Sequence, residues 1–170
     1  MKWFATWHSA GRADDRGSSL IPMPRVTVHA DELIMALENH SFEMQFFLDR
    51  QTGEVFPLFE GNEESDEDRD RIEAEPGRFV FIDPVPSSVA WEVMEAFVES
   101  LRPGEPWRHL ERAIHARHPF SSFKDAVSVY PKLLKEWYAF HDREWSRLAA
   151  EWLAENEIDV AMVTRKAASS

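Results

Sequence analysis

Apolar residues recur along this chain with two different periods, and the switches between them lay out its elements. Between Asp31 and Asn39, Leu33, Ile34 and Leu37 fall at i, i+1 and i+4, and Asp31 and Glu32 occupy a first turn where the helix dipole favours acids, so a short helix is predicted. Phe42, Met44, Phe46 and Leu48 then alternate with Glu43, Gln45, Phe47 and Asp49, the period of a strand. Asp49–Gly53 reads as a turn in which Gly53 is free to take positive φ, and Glu54–Phe59 returns as a second strand. Pro57 has no N–H to give to a ladder, which puts that strand at a sheet edge. Glu60–Asp70 has no apolar period and reads as an acidic loop. Arg78–Ile82 is a third short strand, closed by Asp83-Pro84.

The rest of the pattern is helical. Ser87 or Ser88 is expected to cap a helix that runs to about Leu101. Val89, Val93, Phe97 and Leu101 form one stripe on it and Trp91, Met94 and Val98 another, leaving Glu92, Glu95 and Glu99 as a narrow wet face. So broad an apolar surface belongs to a central helix packed on two sides. Pro103-Gly104 breaks the chain; Pro106–Arg117 follows with Trp107, Leu110 and Ile114 inward, then the shorter Ser121–Val129. Lys132–Glu155 is the longest helix, on the order of 36 Å at the helical rise per residue. Its inward stripe is Leu134, Trp137, Tyr138, His141, Trp145, Leu148 and Trp152, and Asn156 is its stop. The sum is an α+β fold: a three-stranded antiparallel meander packed against about five helices, with a long C-terminal helix.

Three segments are expected: a flexible N-terminal arm over 1–25, a single α+β domain over 26–158, and a C-terminal tail over 159–170. Patterned sequence starts only at Val26, and Met23 just before it reads as the natural start, which the intact mass of native protein tests. At 170 residues one domain is the expectation, and 44% hydrophobic residues supply its core. Seven Trp and twelve Phe against two Tyr point to aromatic packing.

The absence of cysteine excludes disulfides, thiolate zinc sites, iron–sulfur clusters and cysteine nucleophiles, and it fits a reducing compartment, so a cytoplasmic location is expected. No apolar run approaches the roughly 20 residues that span a bilayer, and Met1–Ala10 makes a poor signal peptide. The net charge of −12 argues against non-specific phosphate binding, and no sequence-specific DNA binding is expected. That charge is local: Glu60–Glu75 holds nine acids against Arg69 and Arg71, while residues 105–170 are neutral, with ten acids and ten bases.

Chemistry-bearing groups are sparse in pattern. His109, His115 and His118 cluster in sequence, but His109 is turned well away from His115 on a helix, and Arg112 and Arg117 repel a cation, so no metal site and no cofactor are expected. His141 falls within an apolar stripe and reads as a satisfied core histidine. Glu92, Glu95 and Glu99 share a helix face at a spacing from which oxygen ligands hold a divalent cation, and equally make a solvated face. Glu60–Asp70 lacks the ordered spacing of an EF-hand loop. Phosphate-cradling glycine motifs and the Gly-x-Ser-x-Gly element are absent, and no catalytic residue is assigned.

The most suggestive constellation is basic and aromatic. Residues 108–135 carry six bases, Arg108, Arg112, Arg117, Lys124, Lys132 and Lys135, against Glu111 and Asp125, with Phe120 and Phe123 between them. Interleaved bases and aromatics serve stacking and phosphate contacts. The plainer alternative is that both phenylalanines anchor a short helix while the bases are solvated. Arg108, Arg112, Phe120, Phe123, Lys124, Lys132 and Lys135 are the candidate binding residues, for an acidic protein segment or RNA.

With the elements placed, the chain resembles a bacterial family known as uncharacterised protein family 0158. The likeness lies in Phe47-Leu48-Asp49-Arg50-Gln51-Thr52-Gly53-Glu54-Val55, Phe79–Pro84, Val93–Val98, Phe120–Asp125, Trp137-Tyr138-Ala139-Phe140 and Ala150–Asn156, and spans about Val26 to Ile158. It implies no activity, cofactor or partner, since the family has none established, and no catalytic residue carries over. Where the family's segment is similar to Phe-Arg-Arg-Phe-Lys-Asp, Ser121 and Ser122 stand here in place of the arginines. Three readings of function follow: a non-enzymatic interaction module using the basic strip; a hydrolase or metal-assisted enzyme using Glu92, Glu95 and Glu99 with a histidine; and an acidic mimic that sequesters a basic partner through Glu60–Glu75.

Overall fold

The computed structural model describes residues 25–163; residues 1–24 of the expected N-terminal arm and the last seven residues lie outside that range. The elements run β1 (Val26–His29), α1 (Ala30–Glu38), β2 (Met44–Asp49), β3 (Val55–Phe59), α2 (Asp66–Ala74), β4 (Phe79–Ile82), α3 (Ser87–Ser100), α4 (Glu105–Ile114), α5 (Pro119–Ser128), α6 (Pro131–Glu155) and β5 (Val160–Val163). The α+β class stands, with a three-stranded antiparallel sheet and a long helix near the C-terminus.

The strand order is not that of a meander. β4 pairs with β2 rather than β3, giving β3-β2-β4. The reason lies in the two sides of the hairpin. β3 does stand at an edge, with Pro57 opposite Phe46. Its end is occupied further, since Phe59 N–H donates to Ser65 Oγ at 3.1 Å and Arg69 donates to the Phe59 carbonyl at 2.8 Å. β2 has an open second side, and pairing there sets Val80 and Ile82 opposite Leu48 and Phe46, on the face that meets the core.

Two apolar clusters follow from the helical and strand periods. In one, Phe46, Leu48, Val55 and Ile82 of the sheet meet Leu33, Ala36 and Leu37 of α1 and Trp145, Ala149, Trp152 and Leu153 of α6. In the other, Met94, Phe97 and Val98 of α3 meet Leu110 and Ile114 of α4 and Phe123 and Val127 of α5, with Trp137 and Phe140 of α6 packed against them. The aromatic surplus serves packing here: the Phe97 ring lies 5.3 Å from Trp137 and 5.4 Å from Phe140, and Phe123 lies 4.7 Å from Trp137. α3 packs on α4, α5 and α6, as a helix with two apolar stripes requires. His141 sits at the seam, its ring between Trp137 and Trp145, with Nε2 2.9 Å from Glu38 Oε1.

Several expectations are corrected. The acidic run is not a loop throughout: Asp66–Ala74 is helical. Asp66, Glu67 and Asp68 fill a first turn that favours acids, and the ion pairs Arg69–Asp66 at 2.9 Å and Arg71–Asp68 at 2.8 Å brace successive positions. The chain beyond Ile158 does not trail off at once, because β5 pairs in parallel with β1, Val26 opposite Val160. Neither Ser87 nor Ser88 caps α3; Pro86 holds the N-cap position and no side chain caps it. Tyr138 is 57% exposed and leaves the inward stripe, since it is rotated about 100° from Trp137. Phe42, at 93% exposure, precedes β2 rather than belonging to it.

The β2–β3 turn ties these parts together. Asp49, 1% exposed, receives both Arg78 Nε and Nη2, at 3.0 and 2.7 Å. Burial opposes its ionisation, but the Arg78 hydrogen bonds, the Gln51 N–H and the Arg78 charge outweigh that and hold the carboxyl below its ordinary range. Arg50 Nη1 donates to the Asn156 carbonyl at 2.8 Å, a cation at the C-terminus of α6. Gly53 takes φ +81°, and a Cβ there would run into the Thr27 carbonyl of β1. One turn thus holds β1, β4 and the end of α6.

Candidate functional site at the helical end

α4, α5 and the first half of α6 carry the basic strip. Arg108 and Arg112 lie one turn apart on the exposed side of α4, opposite Leu110 and Ile114. Phe120 and Lys124 are in the same relation on α5, and Lys132 and Lys135 stand in the first turns of α6. Phe123 does not belong to a binding surface: it is 2% exposed and locked against Trp137 and Phe97. Phe120, at 45% exposure, is the aromatic the strip offers outward.

Two clefts open among these bases. The larger, about 670 Å³, lies where α3 gives way to α4 and α5 gives way to α6. Leu101, Trp107, Tyr130 and Leu133 form an apolar lining, with the charged groups Arg102, Lys132 and Glu136 beside it. The second, about 480 Å³, is bordered by His109, Arg112 and Ser122, and Val129, 63% exposed, borders both. His109 Nδ1 lies 3.2 Å from Tyr130 Oη, joining the walls of the two clefts. Arg108, Phe120, Lys124 and Lys135 line neither cleft. The pattern pointed to the strip but missed Arg102, Val129 and Tyr130. The available signal was the pair of proline-led helix starts, Pro106 and Pro131, which turn the chain twice at one end.

The electrostatics of the strip differ from those of the sheet. Among the described residues, Arg102, Arg108, Arg112, Arg117, Lys124, Lys132 and Lys135 make no ion pair. Lys132 also stands in the first turn of α6, which holds no acid, at the positive end of that helix dipole.

The other candidates stay apart. His109 meets Tyr130, His115 Nε2 lies 3.3 Å from Glu111, and His118 is the N-cap residue before α5. Glu92 and Glu99 are exposed and Glu95 half-buried, and none of the three borders the clefts above. Among the described residues no group of three or more His, Asp or Glu is placed to hold a metal ion. Among them, too, no helix is long and apolar enough to cross a membrane.

The sequence model of the Uncharacterised protein family (UPF0158) matches residues 23–167. The chain belongs to that family. UPF0158 protein PA5073 of Pseudomonas aeruginosa is similar to it, 31% identical over 140 residues that make up 82% of this chain and 89% of that protein. No solved structure matches the chain. Within UPF0158 the hairpin segment that carries the resemblance acquires a physical meaning here. Asp49, Arg50 and Gly53 hold the fold together through Arg78, Asn156 and Thr27. Asn156, in the last matching stretch, turns its amide back on the Trp152 carbonyl at 2.8 Å.

Proposed function

We propose that this protein is a non-enzymatic, cytoplasmic interaction module whose helical end docks an acidic segment of another protein. The observation that carries the reading is an apolar cleft at the start of α6 flanked by Arg102 and Lys132, which make no ion pair among the described residues, with Glu136 also on its wall. A carboxylate set against Lys132 and the free N–H groups of the α6 terminus leaves a neighbouring apolar side chain at the mouth of the cleft between Trp107 and Tyr130. Such an interface joins a desolvated anchor to a charged rim that steers encounter. RNA fits less well, because stacking needs exposed rings and Phe123 is buried, leaving Phe120 alone.

Affinity capture from lysate with identification by mass spectrometry tests the reading, using wild type, the Arg108→Glu/Lys124→Glu pair, and Val129→Asp. An acidic protein is expected on wild type, weakened by added salt and lost on both variants. Recovery unchanged on both variants, or recovery of RNA alone, would overturn it.

A further inference from the structure

The three-stranded sheet has two edges, treated differently. β3 is blunted by Pro57 and by the bonds that Ser65 and Arg69 make at Phe59. Among the described residues β4 has no such protection. Arg50 N–H donates to the Arg78 carbonyl at 2.9 Å, which fixes the phase of the ladder: Arg78, Val80 and Ile82 turn their backbone groups to β2, and Phe79 and Phe81 turn theirs away. Among the described residues nothing but β2 hydrogen-bonds to Phe79–Ile82. The strand contains neither proline nor charge.

The side chains beside this edge are aromatic. On the face of the sheet away from the core, the Phe81 ring lies 5.6 Å from Phe47, Phe47 lies 6.2 Å from Phe56, and Phe56 lies 5.8 Å from Phe79. Phe81 is 45% exposed and, with the 93% exposed Phe42, borders a cleft of about 610 Å³ where β2 begins and β4 ends. Charge stands at both ends of the strand. α2 leads into it from the acidic run, with Glu73 exposed and without an ion pair among the described residues, and Asp83 follows it in the same condition. The bases nearest the strand are already engaged: Arg71 and Arg78 lie over the Phe79 ring at 5.5 and 5.0 Å and pair with Asp68 and with Asp49 and Glu75.

We propose that the open edge of β4 is a strand-docking site that accepts an extended partner segment with apolar residues at alternate positions and Lys or Arg at its ends. Backbone pairing to Phe79 and Phe81 supplies the register, the phenylalanine row receives the apolar side chains, and the flanking carboxylates select the cationic ends. This site is separate from the basic strip and takes the opposite charge.

The probe is the peptide Lys-Lys-Val-Thr-Val-Thr-Val-Lys-Lys, with a control in which Glu replaces every Lys. Hydrogen exchange of single amides, followed by NMR on the full chain, is the readout. The amides of Phe79 and Phe81 should exchange fast in the free protein and slow at least tenfold with the lysine peptide, while the glutamate peptide leaves them unchanged. Phe81→Pro removes an outward N–H that the ladder does not use, so it should keep the fold and weaken the peptide at least tenfold. Phe81→Lys keeps the N–H but removes the ring and adds a like charge, and it should weaken the peptide as well, which covers a failure of the proline variant to fold. Absence of protection, equal protection by the glutamate peptide, or undiminished binding to both variants would overturn the proposal. So would protection that rises with protein concentration alone, because the occupant would then be a second copy of this chain.

Discussion

The two ends of α6 show two uses of the same kind of residue. In its second half, Arg147 bonds Glu151 at 2.6 Å and Glu144 at 3.2 Å, and beyond it the sheet end continues with Arg69, Arg71 and Arg78, each paired to a carboxylate. In its first half, among the described residues, Lys132 and Lys135 have no such partner, nor do the bases of α4 and α5 beside them. α1 and α2 place acids in the first turn, as α4 does with Glu105, whereas α5 and α6 place none. The arginines of the sheet end are engaged in ion pairs. At the helical end the bases are left outward without ion pairs among the described residues.

The comparison breaks most directly at Asp49. Removing a buried carboxylate that holds a fork of two hydrogen bonds leaves Arg78 with Glu75 as its remaining partner, so Asp49→Ala should destabilise by about 3 kcal/mol. Lys124→Ala, at an exposed base without an ion pair among the described residues, should stay within about 0.5 kcal/mol of wild type. Urea unfolding midpoints measure both. Equal losses would mean that the strip is structural after all.

Gly53 and Gly77 sharpen the same contrast within the sheet end. Both have positive φ, +81° and +89°, but only at Gly53 does an added Cβ meet backbone. Gly77→Ala should therefore cost about 1 kcal/mol, the conformational term alone, and Gly53→Ala about 3 kcal/mol, because β1 must move away from the turn. If the two variants melt together, the contact between the turn and Thr27 does not hold β1.

How much of this was legible follows from how local each signal is. The hairpin, the edge position of β3, the central α3 and the stop at Asn156 all rest on short-range patterns and were readable. β1 and β5 were not, because each has four residues and their pairing joins opposite ends of the domain. α2 was hidden because its helix is braced by ion pairs rather than by an apolar stripe. Phe47 was placed on the polar phase of β2, yet it belongs to a phenylalanine row contributed by three strands, which no single strand reveals. The basic strip was visible in composition; the cleft inside it required knowing that the starts of α4 and α6 lie side by side.

A smaller effect separates the ends by pH. The carboxyl of Asp49 titrates below its ordinary value of 3.8, so the folded state binds fewer protons there than the unfolded state. Its contribution is complete above that ordinary value and is lost as pH falls through the depressed one. The gap in unfolding midpoint between wild type and Asp49→Asn should thus be constant from neutral pH down to about pH 4–5 and close below it. Lys124→Ala should run parallel to wild type over the same range. A gap that does not narrow at all as pH falls below 3.8 would show that Asp49 acts by shape rather than by charge.

The smallest expected effect has the opposite sign. Lys132 stands where the α6 dipole disfavours a cation, with no acid in that turn to offset it. Lys132→Glu should accordingly raise stability by about 0.5 kcal/mol, read as a higher melting temperature at low salt that returns to the wild-type value as salt is added. The same substitution reverses the charge beside Trp107 and Tyr130 and should abolish capture of the acidic partner. A residue that stabilises the fold when replaced, and whose replacement removes an interaction, is held in place by that interaction. If instead Lys132→Glu lowers the melting temperature, Lys132 does structural work that the ion pairs do not display, and the division between a knitted end and an open end is drawn in the wrong place.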